Sequence, residues 1–292
     1  MSSTSTPAIP SILLATDLSA RCDRALDRAV QLAGQQGARL VVLHVQEPSA
    51  LAQLTIPSWR RVNANHQEIA TRRLRKDLAG AKIDLEVVVK AGKAVESIIE
   101  TAQSHGCGLI VTGIARDETL GRLILGTTVE KLVRTATIPV LVVRNKPHGA
   151  YRNALLATDF SDGSRHALSA ARPWLPGVDI TLFHAFNAPA SSTGETHAQQ
   201  VEGFRKAAQE QARAFVASLS GTEAGNKVEV EYGQPETLLS ARAFDDDDTE
   251  LVIAGTHGLT GILRTSIGSV ADSLLESLPC DVLVVRQPAT AA

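Results

Sequence analysis

Residues 12–19 read ILLATDLS and residues 154–161 read ALLATDFS. Each begins with a short apolar run of the kind that forms a buried parallel strand. Other informative positions recur with it. Asp17 and Asp159 lie 142 residues apart, as do Gly113 and Gly255, and Gly126 and Gly268. His44 and His184 are 140 apart, Gly92 and Gly233 are 141 apart, and VLVVR occurs at 140–144 and again at 282–286. Chance does not produce such a period; duplication does, with indels of one or two residues explaining the drift. The boundary falls near 146–151, which divides the chain into domains 1–146 and 151–292.

Working outward, the same alternation of elements appears in both halves. In the first, strands are expected at 12–15, 40–45, 85–89, 109–112 and 140–143. Ser19 is placed to cap the first helix, whose Ala25, Ala29, Val30 and Ala33 share one side. Further helices are expected at about 62–78, near 94–104 and near 129–135. The second half repeats the order, with strands near 153–157, 180–185, 228–231, 251–253 and 282–285. Five parallel strands with intervening helices make an open, doubly wound α/β sheet with helices on both faces, built twice. The connection 46–60 carries Leu51, Leu54, Ile56 and Trp59, which suits a lid, a helix docking site, an interface or an ordinary packed loop. Its counterpart 186–198 is small and polar and reads as a surface loop.

Composition narrows the function classes. The 292 residues are about twice the commonest domain size. A formal charge of -2 and a pI near 6.5 give no long-range attraction to nucleic acid or to an anionic membrane. The three cysteines form no CxxC pair, which argues against a disulfide scaffold or a zinc site. MSSTSTPAIP lacks the basic start and apolar core of a signal peptide, and no apolar run approaches the ~20 residues of a membrane helix. A reducing cytoplasm fits these features.

The chemistry concentrates after the fourth strand. Residues 255–269 of the second half read GTHGLTGILRTSIGS, a G-x2-G-x9-G-S pattern formed by Gly255, Gly258, Gly268 and Ser269. Outside the carboxyl end of a parallel strand, such sheets bind ligands. Glycines let backbone N–H groups approach phosphate oxygens, and Ser269 opens a helix whose free N–H groups favour an anion. His257, within the loop, is a candidate phosphate neighbour. The plainer alternative is structural: glycines as turns, and Ser269 with Asp272, or Thr127 with Glu130, as helix caps. Asp159 ends the first strand across the same crevice, where either a ribose hydroxyl pair or the local N–H groups after Ser161 would satisfy it. The first half reads GIARDETLGRLILGT at 113–127. Gly113, Gly126 and Thr127 keep register there, with Asp17 as the acid, but Arg116 replaces the second glycine. Its guanidinium either obstructs the loop or pairs with phosphate itself; weakened or altered binding is expected.

Through these residues the chain resembles tandem-domain universal stress proteins, over 10–144 and 151–287. The resemblance implies two Rossmann-like domains and ATP as ligand, with Mg2+ as a candidate companion. It implies that Asp159 binds ribose, that the Gly258 and Gly268 backbone holds phosphates, that Ser269 adds a hydroxyl, and that backbone near 182–184 borders adenine. It further implies pairing through the last strands, 140–143 with 282–285 within one chain, or through a homodimer.

Other candidates carry less. His44 and Glu47 form an H-x-x-E pair that runs off a strand and is absent from the second half, so a metal is not expected. The acidic run 245–248 reads as a solvated loop, and Cys107 and Cys280 as packing residues before strands. No nucleophile elbow occurs, and no catalytic residue is assigned. The expectation is a regulatory protein that binds an adenine nucleotide mainly in the second domain and is read by an unidentified protein partner. The alternatives are an interaction protein without nucleotide, or a slow ATP hydrolase.

Overall fold

A computed structural model of the chain describes residues 10–47, 64–114, 126–188, 196–220, 225–245, 249–256 and 269–287. The chain divides into two compact units, 1–132 with 140–150, and 133–139 with 151–292. Up to residue 143 the elements run β1 (Ser11–Thr16), a 3-10 turn (Ala20–Cys22), α1 (Asp23–Gln36), β2 (Leu40–Gln46), α2 (Ala64–Asp77), β3 (Leu85–Ala91), α3 (Ala94–Ser104), β4 (Cys107–Gly113), α4 (Thr127–Thr135) and β5 (Val140–Val143). The strands of the first unit stand in the order β3-β2-β1-β4-β5, every pairing parallel.

The second unit repeats this plan with β6 (Asn153–Ala157), α5 (Asp162–Ala171), β7 (Asp179–Phe186), α6 (His197–Ser218), β8 (Val228–Tyr232), α7 (Pro235–Asp245), β9 (Leu251–Gly255), α8 (Ser269–Ser277) and β10 (Asp281–Val285). Its order is β8-β7-β6-β9-β10, again wholly parallel.

The central strands are hydrophobic without alternation because both faces are covered. Ile12, Leu13 and Leu14 are each 0% exposed, as are Leu251, Val252 and Ile253. Each such side chain contributes about 1.5–3 kcal/mol through burial. The outermost strands are different. Side chains of β3 and β8 are mostly half-buried, and charged groups guard them. Arg39 bridges to Asp84 at 3.0 Å and to Glu86 at 3.3 Å in the first unit. In the second, Glu229 takes Lys227 at 2.6 Å and Arg242 at 2.9 Å.

Two helix starts differ from the sequence expectation. Ser19 makes no side-chain capping bond, because the 3-10 turn intervenes and α1 opens three residues beyond it. Ser161, its counterpart, does cap: its hydroxyl accepts the Ser164 N–H at 3.3 Å. At α4 the Glu130 N–H donates to the Gly126 carbonyl at 3.0 Å, so Gly126 stands at the cap and Thr127 opens the first turn. Among the described residues no helix is long and apolar enough to cross a membrane.

In each unit the strand order reverses beside the first strand, between β1 and β4 or between β6 and β9. Such a reversal is where open α/β sheets bind ligands, outside the carboxyl ends of the strands.

Candidate functional site

The elbow after the first strand is built the same way twice. Thr16 Oγ1 accepts the Leu18 N–H at 3.0 Å, and Thr158 Oγ1 accepts the Phe160 N–H at 2.9 Å. Asp17 Oδ1 accepts from the Ser19 N–H at 2.8 Å, and Asp159 Oδ1 from the Ser161 N–H at 3.1 Å. These short side-chain bonds stand in for backbone turn bonds. They force the intervening residue left-handed, with φ of 62° at Leu18 and 63° at Phe160. A non-glycine residue there costs of order 1–2 kcal/mol, and in both elbows the two side-chain bonds oppose that cost.

A further donor reaches each acid from five residues on. It is the Ser164 hydroxyl at 2.8 Å in the second unit and the Cys22 thiol at 3.1 Å in the first. Ser164 also accepts the Asp159 N–H at 3.2 Å. Burial pushes the Asp17 carboxyl up, but the bonds from Ser19 and Cys22 together outweigh it and hold the group below its ordinary value. Asp17 is therefore an anion at neutral pH. Both acids bond the local chain through Oδ1, the structural option of the two that the sequence left open. A carboxylate offers about four lone-pair directions, so these bonds do not exhaust its capacity to accept.

The paired histidines serve the same elbow. His44 Nδ1 donates to the Thr16 carbonyl at 2.9 Å and His184 Nδ1 to the Thr158 carbonyl at 2.7 Å. Parallel register makes this reach, since Thr16 stands opposite His44 on the next strand. Phe160 packs on the His184 ring at 4.5 Å between centroids. Glu47 acts elsewhere, because its Oε1 accepts the Ala94 N–H at 2.8 Å and caps α3. The two members of the H-x-x-E pair thus serve different elements. Among the described residues no group of three potential ligands could hold a metal ion.

In the first unit the structure brings Asp17, Gly113, Gly126 and Thr127 to the wall of one crevice of about 430 Å³. Arg116 lies outside the described residues. Sequence reasoning missed Cys22, Glu47 and Thr128 as wall residues. The signal for Cys22 was present, five residues after Asp17 as Ser164 is after Asp159. Glu47 had none, because its partner is 47 residues away.

In the second unit Asp159 and Gly255 stand at the carboxyl ends of adjacent strands, where Ala157 pairs with Ala254. Thr256, 2% exposed, donates its N–H to the Val285 carbonyl at 3.0 Å. Ser269 is the first residue of α8. His257, Gly258 and Gly268 lie outside the described residues, as do most of the connection 46–60 and the acidic run after Asp245.

This geometry, repeated at a period of about half the chain, has counterparts elsewhere. The sequence model of the universal stress protein family matches residues 9–144 and again 150–286. The chain belongs to that family. It carries two universal stress protein domains in tandem, each of the Rossmann-like α/β type. The universal stress protein of Mycolicibacterium smegmatis is 27% identical over 290 residues, spanning 94% of this chain and 96% of its own. Among solved structures, a functionally unknown protein of Pseudomonas aeruginosa PAO1 superposes with a TM-score of 0.70 at 23% identity, covering 96% of this chain and 93% of that one. A universal stress protein of Archaeoglobus fulgidus DSM 4304 does so with 0.62 at 20% identity, covering 94% and 98%. These two likenesses concern the fold.

Proposed function

We propose that this universal stress protein is a regulatory protein of the stress response that binds an adenine nucleotide, ATP by preference, mainly in its second domain. One observation carries the reading. The complete G-x2-G-x9-G-S spacing starts at Gly255, the last residue of β9, and ends at Ser269, the first residue of α8, with Asp159 at the end of the neighbouring strand β6. A glycine-rich connection from a parallel strand into a helix suits phosphate, because its N–H groups and the helix N-terminus present positive ends to an anion. The Asp159 carboxylate, on the other lip, suits ribose hydroxyls. Mg2+ would accompany the phosphates as a counter-ion. The chain's contribution is binding and orientation; the altered loop surface is what a partner would read.

Calorimetric titration of the nucleotide-stripped chain with ATP and Mg2+ tests this. Binding is expected and is expected to weaken at least about tenfold in Gly258→Arg, which places in the second loop the residue type that Arg116 supplies in the first. Unchanged affinity in that variant overturns the reading. Steady phosphate release abolished by the same substitution would instead support the ATP hydrolase.

A further inference from the structure

The charge of the chain is unevenly shared between its halves. Residues 1–146 hold 19 Lys and Arg against 13 Asp and Glu, a formal +6. Residues 151–292 hold 10 against 18, a formal -8. The small net charge conceals two halves of opposite sign, each attracting a surface like the other.

The duplication supplies an internal control for where this charge is displayed. Helix α2 buries Ala70, Leu74 and Leu78 and exposes Ile69 with Arg72, Arg73, Arg75 and Lys76. Ile69, Arg72 and Lys76 stand at i, i+3 and i+7 and line its outer face. In α6, the equivalent helix, Phe215 and Leu219 keep the buried register of Leu74 and Leu78. There, however, Ala214, Val216 and Ala217 stand where α2 has Arg73, Arg75 and Lys76. The fold itself does not require the basic face.

Helices α3 and α7 differ in the complementary way. Glu96, Glu100 and Gln103 are exposed on α3, and their places on α7 go to Thr237, Ala241 and Phe244, also exposed. Phe244 is 66% exposed and Ile69 60%, the two highest values among the large apolar side chains described. After Phe244 the sequence runs straight into four aspartates, 245–248, where the first half has Ser104, His105 and Gly106. One half thus shows an apolar side chain among cations, and the other an apolar ring bordered in sequence by acids.

We infer that α2 of one copy of the chain docks on α7 of a second copy. Ile69 would bury against Phe244, and Arg72, Arg75 and Lys76 would face the acidic end of α7, a head-to-tail contact between unlike surfaces. Charge and apolarity together select the occupant. The second half of another copy offers both the acid and the exposed ring, whereas a simple polyanion gives Ile69 and Phe244 nothing to bury against. The inference stands apart from the nucleotide reading.

Sedimentation of the full, nucleotide-stripped chain at rising concentration tests it. Self-association is expected in about 50 mM salt and should weaken at least about tenfold in about 500 mM, where the screening length is roughly 4 Å. Arg72→Glu with Lys76→Glu should leave the chain monomeric, and so should Phe244→Lys; circular dichroism like wild type shows that each variant is folded. Mixed together, the two variants should form a dimer, because each keeps the face that the other lacks. A wild type that stays monomeric overturns the inference, as does association that both variants retain, which would belong to another surface such as the last strands. Folded variants that do not combine overturn it too. A monomeric wild type that binds poly-glutamate through α2 overturns the second copy as occupant and gives the basic face to a foreign acidic partner.

Discussion

Glu47 Oε1 meets the Ala94 N–H at 2.8 Å, so a side chain from the end of β2 closes the start of α3. The second unit has no such bond to make. Its corresponding residues are Asn187 and Pro235, and a proline at the first helical position has no N–H to cap. Glu47→Ala is therefore expected to cost about 1 kcal/mol in urea unfolding, and Asn187→Ala less than about 0.5 kcal/mol. Equal effects at the two sites would contradict the assigned cap.

Ser164 donates to Asp159 Oδ1 and accepts the Asp159 N–H, and it is buried. Ser164→Ala removes both bonds and should cost about 1–3 kcal/mol. Cys22→Ser installs in the first unit the hydroxyl that the second already has. Its urea midpoint should match or exceed wild type, since a hydroxyl is a stronger donor than a thiol. A marked loss would show that Cys22 is chosen for packing.

The depressed Asp17 carboxyl makes a signed prediction. Burial raises it from 3.8, and the Ser19 and Cys22 bonds lower it further than burial raises it. A group with a lowered folded pKa stabilises fully above its unfolded value and loses that contribution as pH falls through the folded one. The stability gap between wild type and Asp17→Asn should be present at neutral pH and close as pH falls through the lowered folded value. Glu229 follows the same sign. Burial raises it from 4.5, and Lys227 and Arg242 bring it lower. A gap that does not change with pH would refute the assignment of either carboxyl.

Burial pushes the Cys107 thiol up to about 11 and also raises Cys22, so thiolate is scarce at both near neutrality. With a thiol reagent at about pH 8, the native chain should react slowly and first at Cys22, which is half-buried, while Cys107 and Cys280 stay protected. All three should react in denaturant. Fast native labelling of Cys107 would contradict its placement in the sheet.

Gly233 has φ +145°, and an added Cβ would lie 3.2 Å from Leu238 Cδ1. Gly92 repeats this with φ +154° and Ser97 Oγ at 3.1 Å. Alanine at either position should cost about 1–3 kcal/mol, measured by thermal or urea unfolding.

The strand positions were legible because burial on both faces writes itself into consecutive residues such as Ile12, Leu13 and Leu14. Helix starts were less so. Ser19 and Ser161 are identical in type and register, yet only Ser161 caps, because backbone geometry after the elbow decides whether the hydroxyl meets an N–H. The acids at 17 and 159 were recognisable as candidates from their place after the first strand of each half. Their bonds to Cys22 and Ser164 were concealed in an offset of five residues that only the repeat makes conspicuous.

By itself the sequence determined the duplication, the alternation of strand and helix, and the G-x2-G-x9-G-S spacing of the second half, since all of these are local patterns of apolarity and glycine. Only the tertiary structure decided that His44 and His184 hold the carbonyls of Thr16 and Thr158, and that Glu47 reaches α3 and lines the first crevice. Those partners are set by the register of parallel strands, which joins residues far apart in the chain and leaves no local mark on either.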